Sequence, residues 1–299
     1  MIIDSKNLTS KEAALRLVSE CESEFNATML RAADFIANTE GCRAVTLSGP
    51  TCSGKTTAAS RLIDALKTFG KNAKIISIDD FYHSPEAMKR LGVDNFEVAA
   101  AIDTEMFRKT ADDLADFRTA EIPKFDFKKK TRVSVESYTP NENDIFIFEG
   151  IQAIYPEILS CLESFRCVSV YICVSDSLTV DGVTFTPEEI RFMRRVVRDY
   201  YHRNSSVANT LNLWGDVRHN EEVNIYPYVG HEDVSINSLI PYEIFVVGRE
   251  FLSLASCFPS DADGAAVIGS LCKRLSKIEV EWFDAEIIPE SSLLTEFSK

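Results

Sequence analysis

Several features that would place a protein outside the ordinary soluble enzymes are missing from this chain of 299 residues. Its eight cysteines are scattered without a C-x-x-C pair and only four histidines accompany them, which is typical of reduced thiols rather than of a zinc site or a disulfide framework. No apolar run approaches the roughly 20 residues that cross a bilayer. We therefore expect neither a resident zinc ion nor a membrane partner.

Basic residues are fewer than acidic ones, 32 against 46, and the formal net charge is −14. Such a balance argues against a broad surface for nucleic acid or anionic membrane. The first residues lack a basic segment followed by an apolar one, so we expect no signal peptide and a cytoplasmic location. The remaining class is a globular protein with a small-molecule partner, and a homo-oligomer is left open.

What the chain does contain is a glycine-rich loop between a predicted strand over 44–48 and a predicted helix. The loop matches the pattern G-x-x-x-x-G-K-[ST] of a P-loop, in which backbone N–H groups and a helix N-terminus surround phosphates. We expect Lys55 to reach the β- and γ-phosphates of ATP, and the Thr56 hydroxyl to hold Mg²⁺. The predicted nucleotide-binding residues of the loop are Gly49, Thr51, Cys52, Ser53, Gly54, Lys55, Thr56 and Thr57.

Alternating strand and helix patterns around this loop predict an α/β fold of the P-loop NTPase type, with a parallel sheet flanked by helices. We expect an N-terminal helical segment over 1–42, followed by a P-loop kinase domain over 43–299. Within that domain we expect an acceptor-side insertion with a small β-hairpin over about 83–143, and a helical, arginine-bearing lid with its following helices over about 176–240. Helices and a docked tail are expected over 250–299, and the predicted strands lie over 44–48, 73–78, 144–149, 166–174 and 242–247.

Two of these strands end in carboxylates. Asp79 follows the strand over 73–78, and Glu149 ends the strand over 144–149. Because ligands of open parallel sheets bind at the carboxyl ends of the strands, we expect both carboxylates to lie near the P-loop. Asp79 is the candidate to accept the proton of an attacking hydroxyl or to help position Mg²⁺, and Glu149 is a candidate for the metal shell. Asp80 is expected to cap a turn.

A second informative segment is a predicted helix that begins with Thr186 as N-cap, Pro187 at the first position and Glu189 completing a capping box. Its arginines are spaced by three, four and seven residues, which places them along one face. Arginine forks match phosphate oxygens, so we expect a lid that closes over ATP, with Arg194 and Arg198 acting on the transferred charge. The residues concerned are Arg191, Arg194, Arg195 and Arg198.

Taken in order, these motifs resemble the phosphoribulokinase/uridine kinase family of P-loop kinases over about 43–247, and within it a bacterial uridine kinase-like branch. The resemblance rests on the P-loop, on S-I-D-D-F-Y over 77–82, N-F-E over 95–97, I-P-K-F-D-F over 122–127, I-F-E-G over 147–150 and R-F-M-R-R-V-V-R-D over 191–199. It implies that Asp79 acts as base towards a sugar hydroxyl and that Tyr82 lines the acceptor site. Glu97 is placed where uridine kinases have an aspartate that binds ribose hydroxyls.

Two positions depart from the uridine kinase pattern. Phe125 stands where the family has a tyrosine in the base pocket, and Lys130 where it has a histidine. Both remain candidate substrate-binding residues, but a hydroxyl and an imidazole that would read the pyrimidine are gone. Lys130 could instead meet an anionic acceptor.

The leading hypothesis is an ATP- and Mg²⁺-dependent kinase that phosphorylates a hydroxyl of a small molecule, the 5′-hydroxyl of a nucleoside. One alternative keeps this mechanism with a non-nucleoside acceptor such as a sugar phosphate. Another is a regulatory protein that binds ATP without turning over an acceptor. A nucleic-acid-directed NTPase is disfavoured by the acidic charge balance.

Overall fold

Five parallel strands form the central sheet of the computed structural model, which describes residues 2–93, 95–258, 265–278 and 280–299. The strands in this described part of the chain are β1 (Ile2–Ile3), β2 (Cys42–Ser48), β3 (Asn72–Ser77), β4 (Ala120–Asp126), β5 (Thr131–Tyr138), β6 (Asp144–Glu149), β7 (Arg166–Cys173), β8 (Leu178–Val180), β9 (Val183–Phe185) and β10 (Val234–Asn237). The central sheet has the order β10-β7-β2-β6-β3, which confirms the predicted α/β architecture.

Helices cover this sheet on both faces, as the buried parallel strands require. Their bounds are α1 (Lys11–Asn38), α2 (Lys55–Lys67), α3 (Pro85–Leu91), α4 (Thr104–Ala115), α5 (Pro156–Leu159), α6 (Pro187–His202), α7 (Val207–Asn224), α8 (Glu243–Ser253) and α9 (Ala265–Leu275). None of the helices in the described residues is long and apolar enough to cross a bilayer.

The alternation of side chains along the strands divides the core into two layers. Along β6, Ile145 and Ile147 pack with α1 and α2, whereas Phe146 and Phe148 pack on the other face with residues of α4 and the β4–β5 hairpin. Strand β2 follows the same alternation, with Val45 and Leu47 on the first face. Because both faces are buried, these strands read as continuous apolar runs in the sequence.

The N-terminal segment forms one long helix rather than two. Ser10 caps α1 by accepting a hydrogen bond from the backbone N–H of Ala13 at 3.3 Å, as its position predicts. The predicted capping box of α6 is present as well, with Thr186 and Glu189 bonding each other's backbone. Three consecutive lysines, Lys128, Lys129 and Lys130, lie at the tip of the antiparallel hairpin that β4 and β5 form.

One strand prediction is wrong. The segment over 242–247 belongs to α8, and the edge strand that pairs with β7 is β10, from Val234 to Asn237. Residues Glu243 to Gly248 are all buried, so the segment lacks the polar face that marks an amphipathic helix. A short apolar run of this kind cannot be told from a buried strand by periodicity. Of the helices expected over 250–299, α9 runs from Ala265 to Leu275, and residues 259–264 lie outside the described residues.

Candidate active site

The register of the sheet places Glu149 between the P-loop and Asp79. Strand β6 lies between β2 and β3, and Glu149 is in register with Leu47 on one side and with Ser77 on the other. The P-loop begins two residues after Leu47, and Asp79 follows Ser77 by two residues. The carboxyl ends of three adjacent strands therefore bring one loop and two carboxylates to the same edge, as the sequence predicts.

Two glycines of the P-loop are required by close packing. A Cβ added at Gly49 would lie 2.1 Å from the carbonyl oxygen of Ile172, and one at Gly54 would lie 2.3 Å from Cδ1 of Leu293. Gly54 also has a φ of +83°, in the left-handed region that favours glycine. The Ser53 hydroxyl is buried and has no partner among the described residues. The loop thus keeps an unpaired polar atom at the point where α2 begins.

A cavity of about 1190 Å³ opens in front of this loop. The Lys55 ammonium reaches back over the loop to the carbonyl oxygens of Gly49 and Pro50, at 2.9 and 3.2 Å. Most of the predicted site residues line the cavity: Thr51, Cys52, Gly54, Lys55, Thr56, Asp79, Tyr82, Glu97, Phe125, Lys130, Glu149, Arg195 and Arg198. Gly49, Ser53, Thr57, Arg191 and Arg194 are not part of its lining.

Asp79 sits in a short 3₁₀ turn at the end of β3, at the wall of the cavity. Burial raises its pKa, while a hydrogen bond from the Tyr82 hydroxyl and the charge of Lys55 act in the opposite direction. The same Tyr82 hydroxyl accepts a hydrogen bond from the side-chain amide of Gln152 at 2.8 Å. Gln152 therefore holds the Tyr82 hydroxyl on the side of the cavity where it acts on Asp79.

Glu149 also has a raised pKa. Burial raises the pKa of its carboxyl to about 7, the nearby charges of Asp79 and Glu296 add to this increase, and Lys55 opposes it. A cation arriving at this edge would relieve the repulsion between Asp79 and Glu149. The pair therefore forms an acidic position in the cavity that Thr56 also lines.

Asp80 has a structural role, but it bonds to strand β4 rather than capping its own turn as expected. Its carboxylate accepts hydrogen bonds from the Lys124 ammonium at 2.8 Å and from the backbone N–H of Phe125 at 2.9 Å. These two bonds tie strand β4 to the turn that carries Asp79. The hairpin side of the cavity is thereby joined to the edge of the sheet that carries Asp79.

Aromatic rings form the side of the cavity on which an acceptor was predicted. The Tyr82 ring meets those of Phe96 and Phe125 edge to face, with centroids 5.0 and 5.7 Å apart, and Phe127 packs on Phe125 at 5.3 Å. Lys130 lies at the hairpin tip with a φ of +53° and lines the cavity beside these rings. Both positions that depart from the uridine kinase pattern thus face the same space.

Glu97 lies on this side of the cavity too. Burial raises the pKa of its carboxyl, and the guanidinium of Arg195 opposes that shift. Its backbone is held from both ends, because its N–H donates to the Asn95 side chain at 2.8 Å and its carbonyl accepts from the Tyr155 hydroxyl at 2.9 Å. The segment 95–97 is therefore anchored although it lies in an irregular part of the chain.

The arginines of α6 divide into two groups that the spacing did not separate. Arg191 and Arg194 are buried in bidentate ion pairs, with Glu221 at 2.6 and 2.8 Å and with Glu243 at 2.6 and 2.8 Å. Their guanidinium groups also donate to P-loop carbonyls, Arg191 to Thr51 and Arg194 to Cys52. Arg191 and Arg194 thus lie behind the P-loop and outside the lining of the cavity, and their predicted contact with ATP stays a prediction.

Arg195 and Arg198 do face the cavity, and Arg203 joins them. Arg195 donates to the Thr51 hydroxyl at 3.3 Å, and Asp199 lies beside both Arg195 and Arg198 at 3.3 and 3.0 Å. Three guanidinium groups against two carboxylates, Asp199 and Glu296, leave an excess of positive charge at this wall. That excess suits a ligand that carries several negative charges.

The model of the phosphoribulokinase/uridine kinase family matches residues 44–244 of this chain. This match spans about two thirds of the sequence and includes every wall of the cavity except the C-terminal one. The chain belongs to the phosphoribulokinase/uridine kinase family. Membership of this family makes the protein a kinase, in agreement with its P-loop, and confirms the resemblance seen in the sequence motifs.

Relatives within the family carry uridine kinase names. The uridine kinase of Halobacterium salinarum is 25% identical over 64% of this chain and 79% of its own length. That of Ureaplasma parvum serovar 3 is 23% identical over 59% of this chain and 78% of its own length. Among solved structures, a possible uridine kinase from Bacillus stearothermophilus is 17% identical, covers 71% of this chain and 99% of its own, and has a TM-score of 0.48.

Sequence reasoning missed several residues of the cavity. Gln152 does not line the cavity but contacts the Tyr82 hydroxyl behind its wall, and it could have been found as a polar residue two positions past the I-F-E-G motif. Lys128, His202 and Asn204 line the space, and the sequence did not single them out individually. Glu296 comes from the last turn of the chain and has no neighbour in sequence that belongs to the site.

Proposed function

We propose that this kinase transfers the γ-phosphoryl group of ATP to a hydroxyl of a small molecule, with the 5′-hydroxyl of a nucleoside as the acceptor. The observation that carries the proposal is the single cavity in which the P-loop, Asp79 and Glu149 meet. Its volume of about 1190 Å³ exceeds the usual size of a site for one small ligand. Room for two ligands side by side is what direct phosphoryl transfer requires.

On the nucleotide side, Lys55 would move from the loop carbonyls to the phosphates, and the P-loop backbone with the buried Ser53 hydroxyl would surround them. The donor set fits Mg²⁺, which binds oxygen ligands and commonly takes one or two carboxylates together with phosphates. Thr56, Glu149 and Asp79 are the residues that would hold it. When bound, Mg²⁺ neutralises charge on the phosphates and orients them.

On the acceptor side, Asp79 would accept the proton of the attacking hydroxyl, and Tyr82 would hold the aspartate in place. The raised pKa of Asp79 brings it nearer to the range in which a general base works well. Glu97 is positioned to accept hydrogen bonds from sugar hydroxyls, and Phe96 and Phe125 offer apolar surface for the nucleobase of a nucleoside. These five residues together support a nucleoside-sized acceptor.

Arg195, Arg198 and Arg203 supply positive charge where it is needed during transfer. Negative charge spreads over the transferred phosphoryl group in the transition state, and fixed guanidinium groups stabilise it. Arg191 and Arg194 would act indirectly, by holding the P-loop in position through hydrogen bonds to its carbonyl oxygens. The proposed role of α6 therefore combines charge stabilisation at one face with support of the loop at the other.

A second candidate acceptor is an anionic metabolite such as a sugar phosphate. Lys128 and Lys130 line the acceptor side together with the hydrophobic rings, and Arg203 is near enough to influence the pKa of Asp79. The uridine kinase pattern has no lysine at the position of Lys130. This concentration of cations is the observation that favours an acceptor with its own negative charge.

The experiment that tests the proposal is acceptor-dependent release of ADP from ATP and Mg²⁺, measured across nucleosides, sugars and sugar phosphates. Stimulation by uridine or cytidine, abolished in Asp79→Asn, is the expected result. Stimulation only by phosphorylated sugars would retain the mechanism and replace the acceptor. ATP binding without turnover of any acceptor in the panel would contradict the proposal and favour the regulatory alternative.

A further inference from the structure

The C-terminal segment (residues 289–299) forms one wall of the nucleotide side of the cavity. Leu293, Leu294 and Phe297 are fully buried there, in a short 3₁₀ helix from Leu293 to Phe297. Leu293 packs so closely on the P-loop that only a glycine fits opposite it at position 54. The ring of Phe297 lies 5.0 Å from the guanidinium carbon of Arg194. The segment is thus in direct contact with both the loop and the helix that supports it.

Polar contacts anchor the same segment on three helices. The backbone carbonyl of Ser291 accepts a hydrogen bond from Nε of Arg61 in α2 at 2.8 Å. The Ser292 hydroxyl donates to the buried carboxylate of Glu22 in α1, which also accepts from the Tyr242 hydroxyl at 2.7 Å. Nε2 of His202 lies 2.7 Å from the Ser298 carbonyl oxygen. These contacts fix the backbone on both sides of Glu296.

Glu296 is the residue that this anchored segment brings into the cavity. Its Oε1 lies 3.7 Å from Nη1 of Arg198, and its charge contributes to the raised pKa of Glu149. Its Oε2 is buried and has no hydrogen-bond partner among the described residues. Leaving a buried carboxylate oxygen unpaired is unfavourable, so such atoms in a binding cavity commonly meet a ligand.

We propose that Oε2 of Glu296 accepts a hydrogen bond from the bound nucleotide complex. Glu296 faces Arg198, at the wall that we assign to the transferred phosphoryl group, so we place the donor at the phosphate end of the nucleotide and not at its adenine amino group. The phosphates themselves offer no donor at neutral pH, which leaves a ribose hydroxyl or a water molecule carried by Mg²⁺. Both are O–H donors to a carboxylate oxygen. The C-terminal segment is in this sense a binding element of the kinase, and it lies outside the part of the chain that the family model matches. The inference rests on the nucleotide site of the proposed function, not on its acceptor.

The Glu296→Gln variant tests this directly because Arg198 orients the new amide. The amide oxygen turns towards the guanidinium, so the NH₂ group takes the place of Oε2. The NH₂ group is itself a donor and cannot accept the hydrogen bond from the O–H group of the ligand. We expect MgATP affinity, measured by isothermal titration calorimetry, to fall about tenfold or more. Glu290→Gln is the matched control, since Glu290 belongs to the same segment, is exposed and does not line the cavity. It should bind like the wild type.

Titrations with ATP in EDTA and with 2′- and 3′-deoxy-ATP distinguish the two donors. A defect seen only with Mg²⁺ present assigns the donor to a metal-bound water, and a defect that persists in EDTA but disappears with one deoxy nucleotide assigns it to that ribose hydroxyl. Unchanged affinity of Glu296→Gln in every titration would overturn the proposal. Glu296→Asp, which keeps the charge but withdraws the oxygen, should weaken binding as well, and thermal melting checks the fold of both variants.

This outcome is independent of the acceptor. A wild-type protein that binds MgATP but phosphorylates no nucleoside would contradict the proposed function, and the calorimetric comparison would still test Glu296. Loss of ATP binding in the wild type itself would overturn both proposals at once.

Discussion

Arg194 and Glu243 form a fully buried bidentate ion pair between α6 and α8, with Nε–Oε2 and Nη2–Oε1 distances of 2.6 and 2.8 Å. The same guanidinium donates to the carbonyl of Cys52 at 3.2 Å and to that of Ser238 at 2.7 Å. A residue whose position in sequence indicates a catalytic lid therefore links the P-loop to two other elements of the fold. The position of the P-loop depends on this pair.

Glu243→Gln should strongly destabilise the protein. The variant leaves the Arg194 guanidinium buried without its counter-charge, which costs about 3–5 kcal/mol in comparable cases. Urea unfolding measures the change in the free energy of unfolding. Glu24→Gln is the control, since the Glu24–Arg31 pair is exposed and such pairs contribute about 0–1 kcal/mol. Equal stability of the two variants would show that the buried pair does not hold the fold as described.

Asp79→Asn should abolish most of the turnover while ATP still binds. An amide cannot accept the proton of the attacking hydroxyl, and loss of a general base typically costs a factor of about 10²–10⁴ in rate. Steady-state kinetics and equilibrium binding of ATP separate the two effects. Asp80→Asn is the neighbouring control, and because Asp80 bonds Lys124 and Phe125, its effect should fall on the acceptor KM rather than on kcat.

Tyr82→Phe should reduce kcat/KM for the acceptor about tenfold without changing ATP affinity. The substitution removes the hydroxyl that donates to Asp79 and accepts from Gln152, and a hydrogen bond to a charged group is worth roughly this factor. Tyr138→Phe offers a matched comparison, because its hydroxyl bonds Asp144 at 2.8 Å away from the cavity. If the two variants show the same kinetics, Tyr82 does not position the base.

Mg²⁺ binding should weaken as the pH falls below about 7. Burial raises the pKa of Glu149 to about 7, so protons compete with the metal for this carboxylate in that range, and affinity should fall by about tenfold per pH unit below it. Titration of the enzyme–ATP complex with Mg²⁺ at several pH values measures this. Glu149→Gln should bind Mg²⁺ more weakly and with a smaller pH dependence. An unchanged pH dependence in the variant would exclude Glu149 from the metal shell.

The central parts of the site could be predicted because they follow from local rules. A P-loop is a contiguous motif, and residues at the ends of parallel strands meet at one edge, so Lys55, Asp79 and Glu149 could be placed together without coordinates. The register of β6 between β2 and β3 then confirms that Glu149 lies between the other two.

The remainder depends on contacts between residues that are distant in sequence. Arg191 and Arg194 find their partners 30 and 49 residues away, in α7 and in a helix that reads as a strand from its apolar run. Spacing on a helix shows which arginines share a face but not what that face packs against. Glu296 reaches the cavity only because Leu293 and Phe297 bury themselves beside the P-loop. No local pattern contains that information.

The most direct test of the account is identification of the phosphorylated product. The kinase is incubated with Mg²⁺, uridine and ATP labelled in its γ-phosphoryl oxygens, and the product is analysed by mass spectrometry and ³¹P NMR. The account predicts a labelled 5′-monophosphate from the wild type and almost none from Asp79→Asn. The account would be contradicted if wild-type protein binds MgATP but leaves the uridine unphosphorylated and phosphorylates no other hydroxyl.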